Sequence, residues 1–281
     1  MVMKTRTALS LILASLLLLP GCTTTSTTKS GAVGVERKQY VGLVSEKEAE
    51  EQSALAYTKT VKDAQDKKTL NTDSKETQRV RAIANRLIAQ VGVFRPDALK
   101  WKWEVNVMDS KEVNAYCMAG GKIMVYTGLL EQIKPTDDEL AAVMGHEISH
   151  ALREHVREQM SRAKAQQYGL LGLAAAVGVA TKNADNATTA LALGGTVAAV
   201  ALTLPNSRTA EHEADEMGLE LAARAAYNPE ASITLWKKMN ALGGSKPPEF
   251  LSTHPSGESR IADLQAMMPK VMPLYQAAKN K

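Results

Sequence analysis

The stretch Ala141-Ala-Val-Met-Gly-His-Glu-Ile-Ser-His150 places two histidines four positions apart, with a glutamate directly after the first. Residues at this spacing project from one face of an α-helix, so the imidazoles of His146 and His150 can bind the same metal ion. Glu147 then lies where it can act as a general base on a water at the metal's open position. The pattern therefore predicts a catalytic Zn²⁺ site that hydrolyses amides.

The helix that carries this motif has a clear start, and a small sheet is predicted before it. Thr136-Asp-Asp-Glu139 is a capping box that follows Pro135. Apolar and polar residues alternate over 101–108, which is typical of a half-buried strand. Residues 114–126 read as two short strands joined at Gly120-Gly121, a favourable hairpin pair. Further helices are predicted at 45–66, 80–91, 129–133, 207–226, 230–242 and 261–268. The fold class is α+β and mostly helical.

A third ligand is needed for zinc, and the run from Ser207 to Asp215 offers one. Glu211 and Asp215 share a helix face, so one can bind metal while the other accepts the free N–H of a ligand histidine. We favour Glu211 as the ligand. His212 is a rival, but its side chain points about 100° away around the helix. His155 lies five residues after His150 and is expected to leave the ligand face for solvent.

Together these motifs resemble peptidase family M48, in which HExxH is followed by a glutamate ligand in a Ser-Arg-x-x-Glu-x-x-Ala-Asp context. The resemblance also takes in Asn114-Ala-Tyr, the Gly-Gly-x-Ile-x-Val-Tyr-x-Gly-Leu run that starts at Gly120, and the His254-Pro element that ends at Arg260. It covers roughly residues 75–270 and is closest to the bacterial periplasmic lipoprotein members. It implies a zincin-like (gluzincin) fold with the sheet beside the HExxH helix.

The resemblance also implies roles for individual residues. One Zn²⁺ per chain would be held by His146, His150 and Glu211, with Glu147 as base and acid and Asp215 supporting a ligand. In such folds an edge strand binds substrate as an added β-strand, which would place the peptide beside Asn114, Ala115 and Tyr116. Asn114 is equally well explained as a turn-forming asparagine.

His254 and Arg260 carry open alternatives. His254 matches a family position that can approach the metal, where it could cap zinc in a resting state or stabilise the oxyanion of the tetrahedral intermediate. Arg260 is the alternative donor for that oxyanion. A purely structural role for the loop histidine is the competing interpretation.

The first residues have the features of an export signal. Lys4 and Arg6 precede an apolar run, and Leu19-Pro-Gly-Cys22 is similar to a lipobox. We therefore expect a signal peptide over 1–21, lipidation at Cys22, and a flexible polar tether over 22–44 that leads to a metallopeptidase domain over 45–281. A plain signal peptide or an uncleaved anchor is the alternative. Because Thr23 is not aspartate, the expected location is the outer membrane, facing the periplasm.

Composition narrows the classes of function. The chain has 281 residues, of which 44% are hydrophobic and 23% charged, so it is long enough for one large globular domain or two small ones. Loss of 1–21 would remove two positive charges and no negative ones from the formal +4, leaving +2. That balance gives no indication of a nucleic-acid partner. The other cysteine, Cys117, is expected in the core.

The span 168–204 is unusually apolar for an exported domain. Its runs 170–180 and 190–204 are rich in Ala, Leu, Val, Gly and Thr, and neither reaches the length of a membrane-spanning helix. We expect a helical hairpin that covers the active site or inserts superficially into lipid. Ordinary buried core helices are the alternative.

These observations predict an exported zinc metalloendopeptidase that cleaves misfolded or stalled cell-envelope proteins, with unfolded or misassembled proteins as partners and the membrane reached through Cys22. The alternative, from a different class, is a zinc-binding, chaperone-like lipoprotein whose metal site is latent or structural. A closed site with four protein ligands would favour that alternative, and His254 could supply the fourth ligand.

Overall fold

The computed structural model describes residues 24–181, 207–242, 249–254 and 259–280. Its helices are α1 (Glu46–Asp66), α2 (Ser74–Ile88), α3 (Thr127–Ile133), α4 (Asp137–Leu152), α5 (His155–Thr181), α6 (Arg208–Arg224), α7 (Ala231–Ala241), α8 (Glu249–Thr253) and α9 (Arg260–Lys279). Two short 3-10 turns, Val91–Val93 and Pro96–Lys100, follow α2. The prediction of a mostly helical α+β fold is confirmed.

Two small sheets complete the fold of the described residues. Strands β1 (Thr24–Thr25) and β2 (Gln39–Tyr40) pair antiparallel near the start of the described chain. Strands β3 (Glu104–Met108), β4 (Ala115–Met118) and β5 (Lys122–Tyr126) form the second sheet in the order β3-β5-β4. The predicted hairpin joins β4 to β5, and Gly120 and Gly121 adopt φ values of 75° and 81° that favour glycine.

The core helix α4 begins where the sequence predicts. The Thr136 side chain accepts from the Glu139 backbone N–H, and the Glu139 side chain accepts from the Thr136 N–H, so both halves of the capping box are present. Nearly every residue of α4 after this first turn is buried. A large apolar core packs around it and unites α2, the three-stranded sheet, α6, α7 and α9.

Helices α4 and α6 approach each other through a pair of glycines. A Cβ built on Gly145 would lie 2.9 Å from the carbonyl oxygen of Gly218, and one built on Gly218 would lie 2.8 Å from the backbone nitrogen of His146. Only glycine lets two helix backbones come this close without displacement. This contact is immediately beside His146, so it sets the distance between the histidines of α4 and the carboxylates of α6.

Some helix boundaries differ from those predicted. Helix α2 ends at Ile88, because the chain enters a 3-10 turn at Val91 instead of continuing to the predicted stop at Gly92. Helix α9 does not end at Met268 but runs to Lys279 through Pro269 and Pro273. A buried stripe at Leu264, Met267 and Val271 continues across Pro269, so packing outweighs the hydrogen bond that proline removes.

Residues 24–44, predicted as part of a flexible tether, pack against the domain instead. Val33, Val35 and Val41 are buried, and the backbone N–H groups of Ala32 and Val33 donate to the carboxylate of Glu220. The segment contains spaced valines, whose burial is favourable, and the domain contains buried carboxylates that need cationic partners. The segment therefore packs against the domain although its beginning is polar.

The predicted hairpin over 168–204 falls mostly outside the described residues. Residues 168–181 belong to α5, which continues without a break from His155. Within the part of the chain that the structure describes, no helix combines the length and the apolarity needed to cross a bilayer.

Candidate metal centre

Four elements bring the predicted site residues together. Helix α4 contributes His146, Glu147 and His150, and α6 contributes Glu211 and Asp215. His254 directly follows α8, and Arg260 is the first residue of α9. All of these side chains except Asp215, which is slightly more exposed, are at least nine-tenths buried.

The side chains of His146, His150, Glu211 and His254 converge on a common point. One ligand atom from each of the four lies within 4.8 Å of the others. The Nε2 atoms of His146 and His150 are 3.0 Å apart, and each is 3.3 Å from a carboxylate oxygen of Glu211. Ligands around one tetrahedral Zn²⁺ are separated by about 3.4 Å when each bond is about 2.1 Å. The donor spacing therefore fits a single metal ion.

The charges of the side chains around this point are also compatible with a bound cation. Burial alone would raise the pKa of Glu211, but the two histidines that face it outweigh burial and hold its pKa far below the usual range. Burial opposes protonation of His146, yet its hydrogen bonds to Asp215 and Glu211 raise its pKa to about 9. Without metal, the protonated ring of His146 balances part of the negative charge of these two carboxylates, and a bound cation would take the place of its Nε2 proton.

Asp215 and Arg260 hold the converging side chains of His146 and Glu211 in place through hydrogen bonds. Asp215 Oδ1 lies 2.9 Å from Nδ1 of His146, which fixes a proton on Nδ1 and leaves Nε2 as the free lone pair. Arg260 donates to Asp215 at 2.6 Å and to Glu211 at 3.3 Å, and its guanidinium stacks 3.6 Å from the ring of Trp236. In this arrangement the guanidinium of Arg260 is already paired with two carboxylates and is not a free donor for an oxyanion.

Glu147 has the surroundings of a proton acceptor. Its Oε1 makes no hydrogen bond to the described residues and lies 3.5 Å from Nε2 of His254. Burial raises its pKa, and interactions with His254, His146 and Arg260 only partly offset this effect. A carboxyl group with a raised pKa accepts a proton more readily than one in water, as a general base requires.

His254 is the fourth member of the cluster. Its Nδ1 lies 3.1 Å from Oε1 of Glu211 and 3.2 Å from Nε2 of His146. Its ring stacks on Phe250, with centroids 4.6 Å apart and an interplanar angle of 25°. His254 is therefore close enough to the other three residues to serve as a fourth ligand of the same ion.

Of the residues predicted to bind substrate, Ala115 and Tyr116 lie on β4, one of the two edge strands of its sheet, and Asn114 directly precedes it. The side chain of Asn114 accepts from the N–H of Ala115 at 2.9 Å, which is the turn-forming role of an asparagine. Ala115 is buried, and the ring of Tyr116 packs edge-on against Tyr57 and Tyr126. Contacts from this strand to a substrate would therefore use its backbone.

Two further residues near the site were misplaced or missed by the sequence interpretation. His155 was expected to be solvated, but it is buried and its Nδ1 lies 2.8 Å from Nδ1 of His150. Its Nε2 lies 3.0 Å from Oε2 of Glu213, a residue that the sequence did not single out. Helix α4 ends at Leu152 and Glu154 has a φ of 54°, so the chain turns and brings His155 back towards His150. Glu213 projects about 200° around α6 from Glu211, so helix periodicity gave no signal for its role.

A profile of peptidase family M48 matches residues 74–268 of the chain. The chain belongs to peptidase family M48. The matched range contains all four residues of the cluster as well as Glu147, Asp215 and Arg260. The predicted resemblance, and with it the assignment to a metallopeptidase family, is confirmed.

Known proteins similar to the chain include metalloendopeptidases. It is 41% identical over 158 residues to mitochondrial metalloendopeptidase OMA1 of Arabidopsis thaliana, covering 56% of this chain and 30% of that protein. It is 35% identical to mitochondrial metalloendopeptidase OMA1 of Saccharomyces cerevisiae, covering 62% and 50%. It is 29% identical to the beta-barrel assembly-enhancing protease of Escherichia coli K12, covering 70% and 40%. The chain thus spans half or less of the length of these relatives.

The comparisons correct the predicted location. The outer-membrane, periplasm-facing lipoprotein was wrong, because the relatives of higher identity are named as mitochondrial enzymes. That location was inferred from the export-signal features of residues 1–22 and from Thr23, and these residues carry no information about the folded domain. Cys22 and the predicted signal peptide lie outside the described residues.

Proposed function

We propose that the chain is a zinc-dependent endopeptidase in which His146, His150 and Glu211 hold the metal. The observation that carries this proposal is the convergence of two imidazole nitrogens and a carboxylate at mutual distances of 3.0 to 3.3 Å. Imidazole and carboxylate ligands in a three-residue set are typical of catalytic zinc. The names of the metalloendopeptidase relatives support the same reaction.

Glu147 and Asp215 would have separate roles in peptide hydrolysis. When bound, zinc supplies Lewis acidity that polarises a peptide carbonyl and acidifies water. Glu147 accepts the proton of the attacking water at its unpaired Oε1 and then gives that proton to the leaving amine. Asp215 keeps the proton of His146 on Nδ1, so that the lone pair of Nε2 faces the metal.

We further propose that the substrates are unfolded or misassembled proteins bound in extended form. Strand β4 pairs with β5 on one side only, and no strand covers its other side among the described residues. An extended peptide could add there through main-chain hydrogen bonds, beside Asn114, Ala115 and Tyr116. Main-chain binding selects for unfolded segments, because folded chains have already paired their backbone groups. A relative named as an assembly-enhancing protease supports this substrate class.

The position of His254 favours a resting form of the enzyme. A catalytic zinc site keeps one coordination position open, whereas a structural site is closed by four protein ligands. With His254 as the fourth donor the site is closed, and withdrawal of His254 would open it. The same observation favours the second candidate function, a zinc-binding, chaperone-like protein whose site is latent or structural.

Cleavage of casein distinguishes the two functions. Purified chain loaded with zinc should cleave casein, and a chelator should stop the reaction. Glu147→Gln should bind zinc as wild type does yet lose cleavage, whereas Glu131→Gln, on the exposed face of α3, should retain it. Equal cleavage by Glu147→Gln and wild type would refute the mechanism. A stable zinc-loaded chain that never cuts casein, even as His254→Ala, would instead establish the binding function.

A further inference from the structure

The second ring nitrogen of His150 faces a buried chain of polar groups that the mechanism above does not use. While Nε2 of His150 points to the metal ligands, its Nδ1 lies 2.8 Å from Nδ1 of His155. The other nitrogen of His155, Nε2, lies 3.0 Å from Oε2 of Glu213. The side chain of His155 is 1% exposed and that of Glu213 is 6% exposed, so water does not compete for these contacts.

The directions of these hydrogen bonds follow from the chemistry of the groups. An ionised carboxylate only accepts, so Nε2 of His155 must carry the proton that Glu213 accepts. A neutral imidazole that is protonated on Nε2 has a lone pair on Nδ1, and this lone pair accepts from Nδ1–H of His150. His150 is then protonated on Nδ1, which leaves the lone pair of its Nε2 directed at the metal.

Glu213 is itself held in the acceptor state by two arginines. Arg37 donates to both of its oxygens at 2.9 Å, and Arg153 donates to Oε1 at 3.1 Å. Arg37 also donates to both oxygens of Glu158 at 2.8 Å, so it bridges two buried carboxylates. Because Arg37 belongs to the segment before α1, that segment reaches the metal ligand through a continuous line of hydrogen bonds.

We propose that Glu213, acting through His155, is a positioning residue that fixes the tautomer of His150 in which Nε2 is free to bind the metal. His146 has a carboxylate, Asp215, directly on its second nitrogen. The second nitrogen of His150 faces His155 instead of a carboxylate. His155 can hold the proton of His150 on Nδ1 only because Glu213 accepts from the other nitrogen of His155. The inference rests on the proposed role of His150 as a ligand.

Substitution of Glu213 by glutamine should reverse the direction of the hydrogen bonds that run from His150 through His155 to residue 213. The amide NH2 group has two possible positions. At the Oε1 position it would face donors from both Arg37 and Arg153, whereas at the Oε2 position it faces one arginine donor and His155. The second orientation is therefore favoured. The amide then donates to Nε2 of His155, Nδ1 of His155 becomes a donor, and the proton of His150 is displaced to Nε2.

Glu158→Gln is the matched control for Glu213→Gln. Both glutamates are buried partners of Arg37, and both variants replace one charged oxygen by an NH2 group. The carboxylate of Glu158 accepts hydrogen bonds from Arg37, Gln39, Arg162 and the backbone N–H of Tyr40, and it accepts none from His155. Any general loss of packing between the N-terminal segment and the domain should appear in both variants, whereas the tautomer effect should appear in one.

The test measures zinc affinity and the tautomer of His150 in the full chain. Competition with a chromophoric chelator should show zinc binding weakened by about 10–100-fold in Glu213→Gln, the range found for residues that support metal ligands, and by less than about threefold in Glu158→Gln. Nitrogen-15 NMR of the metal-free chain should show His150 protonated on Nδ1 in wild type and Glu158→Gln, but on Nε2 in Glu213→Gln.

Specific results would overturn the inference. Three results would each show that Glu213 does not fix the tautomer of His150. They are unchanged zinc affinity in Glu213→Gln, an equal loss of zinc affinity in both variants, and the same His150 tautomer in both variants. If Glu213→Gln is insoluble, His155→Leu takes its place, because it removes the acceptor for Nδ1–H of His150 and should weaken zinc binding as much. Failure of the wild-type chain to bind zinc would refute the proposed function instead, so the two failures are distinguishable.

Discussion

Gly218→Ala tests whether the close contact between α4 and α6 builds the metal site. The added Cβ would lie 2.8 Å from the backbone nitrogen of His146, and 3.0 Å from both the Cα of His146 and the carbonyl carbon of Gly145. Non-bonded carbon atoms prefer about 3.5–4.0 Å, so the two backbones must separate by roughly 0.5–1 Å. No flexible side chain is available to absorb this displacement.

The consequence for the metal follows from the ligand distances. Glu211 lies on α6 and the two histidines lie on α4, so separation of the helices moves the carboxylate away from both imidazoles. Metal–ligand bonds tolerate only about 0.2 Å of change, so this shift should weaken zinc binding by about 10–100-fold. Overpacking should also reduce the free energy of unfolding by about 1–3 kcal/mol.

The assay is zinc competition with a chelator, together with denaturant unfolding of the metal-free chain. Gly169→Ala, on α5, is the matched control, because a Cβ at Gly169 meets nothing within 4 Å. That control should leave zinc affinity unchanged and gain about 0.5–1 kcal/mol, since alanine is a better helix former than glycine. Wild-type zinc affinity in Gly218→Ala would show that the glycine contact does not position Glu211.

Two further predictions concern stability away from the metal. Thr136→Ala removes one half of the capping box of α4 and should cost about 1 kcal/mol in thermal or denaturant unfolding while zinc affinity stays at the wild-type value; an unchanged midpoint would show that the cap is not needed. Burial alone would raise the pKa of Glu158, but its hydrogen bonds from Arg37 and Arg162 outweigh burial and lower its pKa to about 2 from 4.5. Because the unfolded chain binds this proton first, the stabilisation is complete above pH 4.5 and is lost as the pH falls towards 2. The unfolding midpoint of wild type should therefore fall more steeply on acidification over this range than that of Glu158→Gln, and parallel curves would contradict the assignment.

The candidate metal ligands were the most predictable part of the molecule. The HExxH spacing on a capped helix, and the helix face shared by Glu211 and Asp215, each depend on local periodicity, which a sequence shows directly. The structure brings these residues together. The three-stranded sheet and its glycine turn could be predicted for the same reason, since alternation and turn residues are local signals.

The supporting groups were less predictable because they depend on contacts between distant segments. His155 lies off the ligand face of an unbroken helix, and only the break at Glu154 returns it to His150. Arg37 is one basic residue in a polar stretch until α5 and α6 place Glu158 and Glu213 around it. The extension of α9 through Pro269 likewise depends on a core that a local rule for proline does not include.

The most direct test of the account is a crystal structure of the zinc-loaded chain, with anomalous diffraction recorded at the zinc absorption edge. We predict one anomalous peak, about 2.0–2.2 Å from Nε2 of His146, Nε2 of His150 and a carboxylate oxygen of Glu211. A zinc ion bound by the two histidines without Glu211, or bound elsewhere in the chain, would contradict the proposed centre.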